Sequence, residues 1–305
     1  MLRTHSLPTL KLCGVALRAA TFKIMTLALL PFLFAPFAFS GDVSFGNAAL
    51  TVKINAADGS YTIGSTGAKS PIIQADVAAE LDHHWIKCSD YPHHDAIGSD
   101  LDDALGTGKQ MRVVSKGLTD RPDLIYTIRL YKDSPYGEIQ VELKNRTQQS
   151  FQVQSLRSVE ATGSAILDLH ASPASDRVLS DSYSEDWPPL QIYDLGKAPD
   201  GMHRAVGSQL VYNQKSKESI FFGALTADRL LTILHLKTGS GSSGPTIAAF
   251  TVESTGTTEI QATEEGSGMR EGDKENLIEL NLPLAAGGSV SAERLMFAAG
   301  SDYHA

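Results

Sequence analysis

Residues 124–145, LIYTIRLYKDSPYGEIQVELKN, decide the fold class of this 305-residue chain. From Gly137 to Asn145, apolar and polar residues alternate, which is typical of a strand with one face in the core. Residues 124–131 are also apolar at every second position. Between the two segments, Asp133-Ser134-Pro135-Tyr136 has the composition of a turn. The stretch therefore predicts an antiparallel β-hairpin.

The same short apolar segments recur along the chain, with turn residues between them. No long stretch has the 3.6-residue period of a helix, so we expect an all-β protein whose antiparallel sheets pack face to face. Long loops are expected at 85–107, 181–203 and 238–245, and short helical turns at 74–81 and 100–104. Further strands are predicted at 49–54, 61–64, 111–116, 151–160, 166–170, 177–180, 209–213, 219–225, 230–236, 246–253, 259–263, 277–282 and 291–298.

Residues 1–40 are predicted to be a secretory signal peptide. Four basic residues and no acid precede an apolar run at 24–39, which ends in the small-x-small site Ala38-Phe39-Ser40. The run is shorter than the roughly 20 residues of a membrane-spanning helix, and prolines interrupt it. Met25 remains an alternative start. Cleavage after Ser40 would leave 41–305 as a single β-domain in the periplasm or outside the cell, with no membrane attachment.

The charge and cysteine content exclude some functions. The formal net charge is −9, and loss of the basic signal would make it more negative. Such a surface repels phosphate backbones and anionic lipids, so nucleic-acid binding is not expected, whereas neutral sugars suit it. Of the two cysteines, Cys13 lies in the predicted signal. Cys88 would then be unpaired, and no intrachain disulfide is expected.

A histidine-rich segment is the obvious candidate for a metal site. His83-His84 and His93-His94 lie close to Asp82, Cys88, Asp90 and Asp95, and these atoms are suitable ligands for zinc or copper. Their spacing matches no zinc motif, and adjacent residues of an extended segment point to opposite faces. We therefore interpret the segment as a polar loop, and no metal or cofactor is predicted.

Other motifs give no catalytic machinery. Glu185 and Asp186 are neighbours on extended chain, so they would diverge instead of flanking one glycosidic bond. Gly239 to Gly244 fits G-x-G-x-x-G, but Pro245 and a predicted strand follow where a helix is needed, which indicates a flexible loop. The chain has no G-x-S-x-G motif, so nucleophilic catalysis has no support from a motif.

Several segments in order resemble one kind of domain. They include Asp103-Ala104-Leu105-Gly106-Thr107-Gly108-Lys109, Asp181-Ser182-Tyr183-Ser184-Glu185-Asp186-Trp187-Pro188-Pro189, Ile220-Phe221-Phe222-Gly223-Ala224-Leu225 and Glu293-Arg294-Leu295-Met296-Phe297-Ala298-Ala299-Gly300. This series resembles the N-terminal β-supersandwich of α-galactosidase-type glycoside hydrolases. The resemblance implies a large antiparallel, galactose-mutarotase-like two-sheet domain.

The resemblance also implies a function. In that family the domain supports a catalytic barrel, helps subunits to associate, and lends loop residues to the sugar pocket. The barrel would follow a strand like 294–299, so we expect this chain to be a truncated or split, noncatalytic part without catalytic residues of its own. Aromatic rings stack on sugar faces while carboxylates accept hydrogen bonds from hydroxyls. The expected substrate-binding residues are Trp85, Tyr91, Tyr183, Asp186 and Trp187.

Two alternatives remain open. Large β-sandwiches also serve as mutarotases and polysaccharide lyases, which need a converging acid and base. His170, His203 and His235 are the candidate imidazoles, and Glu160, Glu218 and Glu253 are candidate partners, although no spacing links them. The other alternative is a free-standing carbohydrate-binding protein.

Overall fold

The computed structural model is an all-β domain with no α-helix in the part that it describes. It describes residues 37–39, 41–163, 166–181, 190–242, 244–256, 258–260, 275–277 and 280–301. Short 3-10 helices occur at Cys88–Asp90 and Pro173–Ser175. Within these ranges, no helix is long and apolar enough to cross a bilayer.

Most described residues belong to strands. In chain order these are β1 Phe37–Phe39, β2 Val43–Gly46, β3 Leu50–Ile54, β4 Tyr61–Ser65, β5 Ile73–Leu81, β6 His84–Lys87, β7 His93–Asp103, β8 Gly106–Lys116, β9 Asp123–Tyr131, β10 Tyr136–Lys144, β11 Phe151–Thr162, β12 Asp176–Asp181, β13 Leu190–Asp194, β14 Gly201–Val206, β15 Ser208–Asn213, β16 Ser219–Ala224, β17 Leu231–Gly241, β18 Gly244–Thr255, β19 Thr258–Ile260, β20 Glu275–Leu277, β21 Leu282–Leu284, β22 Ser289–Ser291 and β23 Leu295–Gly300.

The strands form two large antiparallel sheets. Sheet A has the order β1-β7-β8-β9-β10-β23-β16-β15-β12-β13, with β22 also paired to β10. Sheet B has the order β14-β17-β18-β11-β5-β4-β3-β2, with β21 on β11 and β6 on β5. A separate small sheet joins β19 and β20. The predicted hairpin is confirmed as β9 and β10, which pair from Asp123–Lys144 to Leu130–Gly137.

The core lies between the inner faces of sheets A and B. Alternate residues of each strand enter it, as the buried Ile139, Val141 and Leu143 of β10 do. The buried Tyr126 of sheet A joins the layers, because its hydroxyl donates to the carbonyl of Gly59, in the turn between β3 and β4 of sheet B, at 2.7 Å. The hydroxyl of the buried Tyr61 donates within sheet B, to the carbonyl of Ser158 at 2.7 Å. The prediction of an all-β sandwich is therefore confirmed.

Several predicted loops and turns are wrong. Residues 74–81 form most of strand β5 and 100–103 the end of β7, where we expected helical turns. The expected loop at 85–107 is mainly strands β6 and β7, and the expected loop at 238–245 is largely the extended end of the β17–β18 hairpin. The predicted strand at 166–170 is reduced to one bridge between Ile73 and Leu167. Cross-strand pairing decided each of these outcomes, and local composition does not reveal it.

Candidate functional site

Of the predicted sugar-binding residues, the structure describes Trp85 and Tyr91, which differ in exposure. Trp85 lies on β6 and is 37% exposed. Tyr91 is only 4% exposed, and its hydroxyl donates to the Pro122 carbonyl at 2.6 Å. Burial raises the pKa of Tyr91 above its ordinary value. Tyr183, Asp186 and Trp187 lie outside the described residues. Of the two predicted residues that the structure describes, Trp85 is therefore the one that is exposed enough to contact a ligand.

Trp85 belongs to a polar cluster on the outer face of sheet B. Alternation places this face opposite the core, since the neighbours Ile86, Leu156, Val159 and Val252 are core residues. Strand register brings the cluster together. Arg157 of β11 pairs with Glu253 of β18 on one side and with Ala78 of β5 on the other. Ala78 in turn pairs with Lys87 of β6. We call the group the outer-face cluster; it consists of Trp85, Lys87, Arg157, Glu160 and Glu253.

Arg157 connects the members of the outer-face cluster. Its Nε donates to Glu253 Oε2 at 2.8 Å and its Nη1 to Glu160 Oε2 at 2.6 Å. Lys87 Nζ lies 3.1 Å from the other oxygen of Glu160. The side chains of Glu160 and Glu253 are only 6% and 12% exposed. Such sheltered, charge-assisted hydrogen bonds are stronger and more rigid than those of exposed ion pairs.

The indole of Trp85 stacks on this network. The guanidinium carbon of Arg157 lies 3.7 Å from the ring centroid, within the range of a cation–π interaction. Because Arg157 is itself held by two carboxylates, it fixes the position of the ring. The arrangement is a partly exposed aromatic surface beside groups that bind hydroxyls, the composition that sequence analysis associated with sugars.

His235 lies next to this cluster, on the neighbouring strand β17. It pairs in register with Arg204 of β14 and with Thr251 of β18. Burial lowers the pKa of the imidazole, the Glu253 carboxylate opposes this shift, and Arg204 and Arg157 lower the pKa further. The net shift is downward, so His235 is neutral at pH 7. The structure thus brings together His235 and Glu253, which no sequence spacing had linked.

An acidic pocket of about 220 Å³ adjoins the cluster and shares Glu160 with it. Asp58 and Asp76 also line it, together with Ser60 and Ser89. Burial is the main cause that raises the pKa of Asp76, although the Cys88 thiol donates to its Oδ1 at 3.2 Å and counteracts the shift. The pocket therefore offers both carboxylate and hydroxyl groups to a polar ligand.

Most histidines of the histidine-rich segment lie on strands, where a polar loop was expected: His84 belongs to β6 and His93 and His94 belong to β7, while His83 lies in the turn before β6. The His84 ring bonds to the carbonyl of Asp82 at 2.7 Å, and His94 Nδ1 lies 3.0 Å from Ser115 Oγ. Asp95 forms an ion pair with Lys116. Within the described ranges, no three His, Cys, Asp or Glu side chains are arranged to hold a metal ion.

The other two candidate imidazoles lie elsewhere. His203 of β14 is buried, and its ring packs on Tyr193 with centroids 4.4 Å apart. His170 binds the carboxylate of Glu218 through Nδ1. His170 and Glu218 come from segments 48 residues apart, so their contact could not be predicted from sequence spacing.

Comparisons with known proteins bear on this architecture. No protein-family model matches the sequence, and neither does any curated protein. Among solved structures, the GH36 α-galactosidase AgaB from Geobacillus stearothermophilus superposes with a TM-score of 0.51 at 7% identity, over 88% of this chain and 41% of that one. The galactosidase domain of the α-galactosidase–sucrose kinase AgaSK gives the same TM-score and identity, over 88% and 42% of the two chains.

The chain has the fold of part of a GH36 α-galactosidase. The resemblance inferred from the sequence is therefore confirmed at the level of the fold. A further α-galactosidase, from Lactobacillus brevis, is similar over 85% of this chain with a TM-score of 0.49 and 9% identity. The chain spans about two fifths of the length of these structures, at 39%, 41% and 42%.

Proposed function

We propose that this chain is the exported β-supersandwich of an α-galactosidase-like glycoside hydrolase and that it is noncatalytic toward glycosidic bonds. In this proposal it supports a catalytic barrel, present in the same polypeptide or in a partner, and presents the outer-face cluster at the rim of a sugar pocket. The observation that carries the proposal is the superposition of 88% of the chain on about two fifths of α-galactosidase structures. At 7% identity this superposition concerns the fold.

The chemistry of the outer-face cluster supports a role in sugar binding. Trp85 offers an apolar ring face, and the sheltered carboxylates of Glu160 and Glu253 can accept hydrogen bonds from sugar hydroxyls. Their bonds to Arg157 hold them in place before a ligand arrives, which lowers the entropic cost of binding. Neutral sugars would also avoid the repulsion that this acidic protein exerts on anions.

Calorimetric titration with galactosyl oligosaccharides, carried out with the catalytic barrel supplied, tests the binding role. We expect Trp85→Ala to weaken binding about tenfold or more, because truncation of a central aromatic contact costs about 2 kcal/mol. Trp85→Phe should retain part of the affinity. Ile192→Ala is the matched control, since Ile192 is an exposed apolar residue on sheet A. Equal affinity of the wild type and Trp85→Ala would show that the outer-face cluster does not line the sugar pocket.

Assay of the isolated chain on aryl α-galactosides tests the noncatalytic role. We expect no turnover above background, and activity only after a catalytic barrel is supplied. Turnover that survives purification to homogeneity would contradict the proposal. A sugar that binds without a partner would favour the carbohydrate-binding alternative.

The proximity of His235 to Glu253, on the same face of the neighbouring strands β17 and β18, supports a second candidate function, that of a mutarotase-like enzyme. Opening a sugar ring needs one group to accept a proton and another to donate one, and a neutral imidazole beside a carboxylate is suited to this. Polarimetry on α-galactose would then show mutarotation above the spontaneous rate, reduced in His235→Ala and Glu253→Gln. An unchanged rate in both variants would exclude this candidate.

A further inference from the structure

Three distant segments meet in a serine–histidine–glutamate array on the surface of the domain. Ser70 lies between β4 and β5, His170 between β11 and β12, and Glu218 immediately before β16. The first pair is separated by 100 residues and the second by 48. No sequence motif connects them. The array is distinct from the outer-face cluster, with which it shares no residue.

The order of contacts in the array is that of an activated nucleophile. Ser70 Oγ lies 2.7 Å from His170 Nε2, and His170 Nδ1 contacts Glu218 Oε2. An ionised carboxylate only accepts hydrogen bonds, so the neutral imidazole must carry its proton on Nδ1. The Nε2 lone pair then faces Ser70, whose hydroxyl donates to it. Histidine is thus in the tautomer that a general base requires.

The backbone holds His170 and Glu218 in place at some conformational cost. His170 has φ 56°, in the left-handed region that non-glycine residues avoid, and its N–H donates to Asp168 Oδ1 at 2.7 Å. Lys217, next to Glu218, also has a left-handed φ of 67°. Such conformations are strained for non-glycine residues and concentrate at functional sites. The side chains of His170 and Glu218 are 25% and 19% exposed, so they are sheltered but accessible.

We propose that Ser70 is a catalytic nucleophile that hydrolyses small acyl esters, with His170 as its base and Glu218 as the positioning residue. Ser70 Oγ attacks the ester carbonyl carbon while its proton passes to His170 Nε2. The tetrahedral intermediate collapses, the bond to the alcohol oxygen breaks, and His170 returns the proton to the departing alcohol. Water then attacks the acyl-serine, its proton passes through His170 to Ser70 Oγ, and the carboxylic acid is released.

The position of the array limits the substrate class. Ser70 is exposed and lies in a surface connection, so it can reach esters of soluble alcohols without a deep apolar pocket. Lys69, also exposed, precedes Ser70 along the chain. This activity does not depend on the proposed role beside a glycosidase, because it uses other residues and breaks an acyl bond.

A fluorophosphonate probe tests the proposal directly, since it phosphonylates serines that are activated by a base. The purified full chain is incubated with the probe, and intact mass and peptide mapping locate the adduct. We expect one adduct on Ser70, none in Ser70→Ala, and labelling at least about 100-fold slower in His170→Gln, which matches the usual contribution of a general base. Hydrolysis of p-nitrophenyl acetate should follow the same order.

Ser240→Ala is the matched control. Ser240 is exposed and donates to the carboxylate of Asp200 at 3.0 Å, and no histidine takes part in that contact. Its replacement should leave labelling unchanged. In Glu218→Gln we expect slower labelling, and Glu218→Asp, which keeps a carboxylate, should recover part of the rate. If Glu218 had a purely structural role, the neutral isostere glutamine would label as fast as the wild type.

Folded wild-type protein that gains no adduct on Ser70, as judged alongside a circular dichroism melt, would overturn the proposal. Labelling of Ser70 that is unaffected in a folded Glu218→Gln or His170→Gln variant would overturn it as well. Lower thermal stability of Ser70→Ala combined with an unlabelled wild type would identify the array as a tether between loops.

Discussion

Asp176 shows how burial at a single residue makes the stability of this domain depend on pH. It begins strand β12 and is 2% exposed. Its Oδ1 accepts a hydrogen bond from Asn213 Nδ2 at 2.6 Å. Burial raises the pKa of the carboxyl to about 7, and the nearby Asp168 also raises it, while the bond from Asn213 lowers it. The folded protein therefore holds a proton that the unfolded chain releases at about pH 4.

The sign of the pH dependence follows from this difference in proton binding. Between about pH 4 and pH 7, the folded state binds more protons than the unfolded state, so the stabilisation from Asp176 falls as the pH rises. We expect Asp176→Asn to match the wild type near pH 4 and to exceed it at pH 8 by on the order of 2–4 kcal/mol. Urea unfolding at the two pH values measures this. A constant difference would contradict the assignment to Asp176.

The proposed role of Ser70 likewise depends on contacts with residues that could not be predicted from the sequence. Absence of a G-x-S-x-G motif argued against nucleophilic catalysis, but motifs describe only local arrangements. The histidine and glutamate that contact Ser70 come from other loops. His170 and Glu218 were both named as candidate acid–base residues from the sequence, but Ser70 was not. A serine without a motif carries no signal by which it could have been found.

At the level of elements, the β9–β10 hairpin and its neighbour β23 form a closely packed centre of sheet A. Gly137 of β10 pairs with Leu130 of β9 and with Phe297 of β23. A Cβ atom at this position would lie 2.4 Å from Cζ of Phe297 and 2.6 Å from Cδ2 of Leu130. Both contacts are far shorter than van der Waals distance, so a side chain there requires the core to move.

We expect Gly137→Ala to lower the free energy of unfolding by about 1–3 kcal/mol, the usual cost of overpacking a core. Gly300→Ala is the control, because Gly300 lies at the end of β23 and a Cβ atom there would have no neighbour within 4 Å. Denaturant unfolding of both variants checks the expectation. Equal stability of Gly137→Ala and the wild type would show that Phe297 and Leu130 can adjust without cost.

The errors in element prediction have a common physical cause. Residues 74–81 contain the helix-favouring segment Val77-Ala78-Ala79-Glu80-Leu81, yet they form strand β5 because β4, β6 and β11 all pair with it. The segment at 93–103 looked like a loop because of its histidines and acids, yet β1 and β8 pair with it. Tertiary pairing can override local preference, which is worth only tenths of a kcal/mol per residue.

At the scale of the whole molecule, strand β1 lies within the predicted signal peptide. The predicted cleavage site follows Ser40, so processing would remove β1, which pairs with β7 over Phe37–Gly98 to Phe39–Ala96. The newly exposed strand β7 carries several aspartates, including Asp95, Asp100 and Asp102. Charged residues on an edge strand oppose pairing with other molecules. Export itself remains a prediction.

We expect a chain of residues 41–305 to fold, because β1 adds only a three-residue strand at the edge of sheet A. The loss should lower the melting temperature by no more than a few degrees, since about 1 kcal/mol corresponds to roughly 2–4 °C in a domain of this size. Far-ultraviolet circular dichroism and thermal melting of the two chain lengths check this. A shortened chain that shows no cooperative transition would mean that residues 1–40 are needed for folding.

The sequence by itself determined the all-β class, the central hairpin and the resemblance to the sandwich of α-galactosidases. These properties follow from side-chain alternation and from the order of segments, both of which can be read along one chain. Only the tertiary structure decided that Trp85 stacks on Arg157, that His235 adjoins Glu253 and that Ser70 contacts His170. Strand register and loop packing bring these residues together across long sequence separations, and local sequence pattern does not encode such distances.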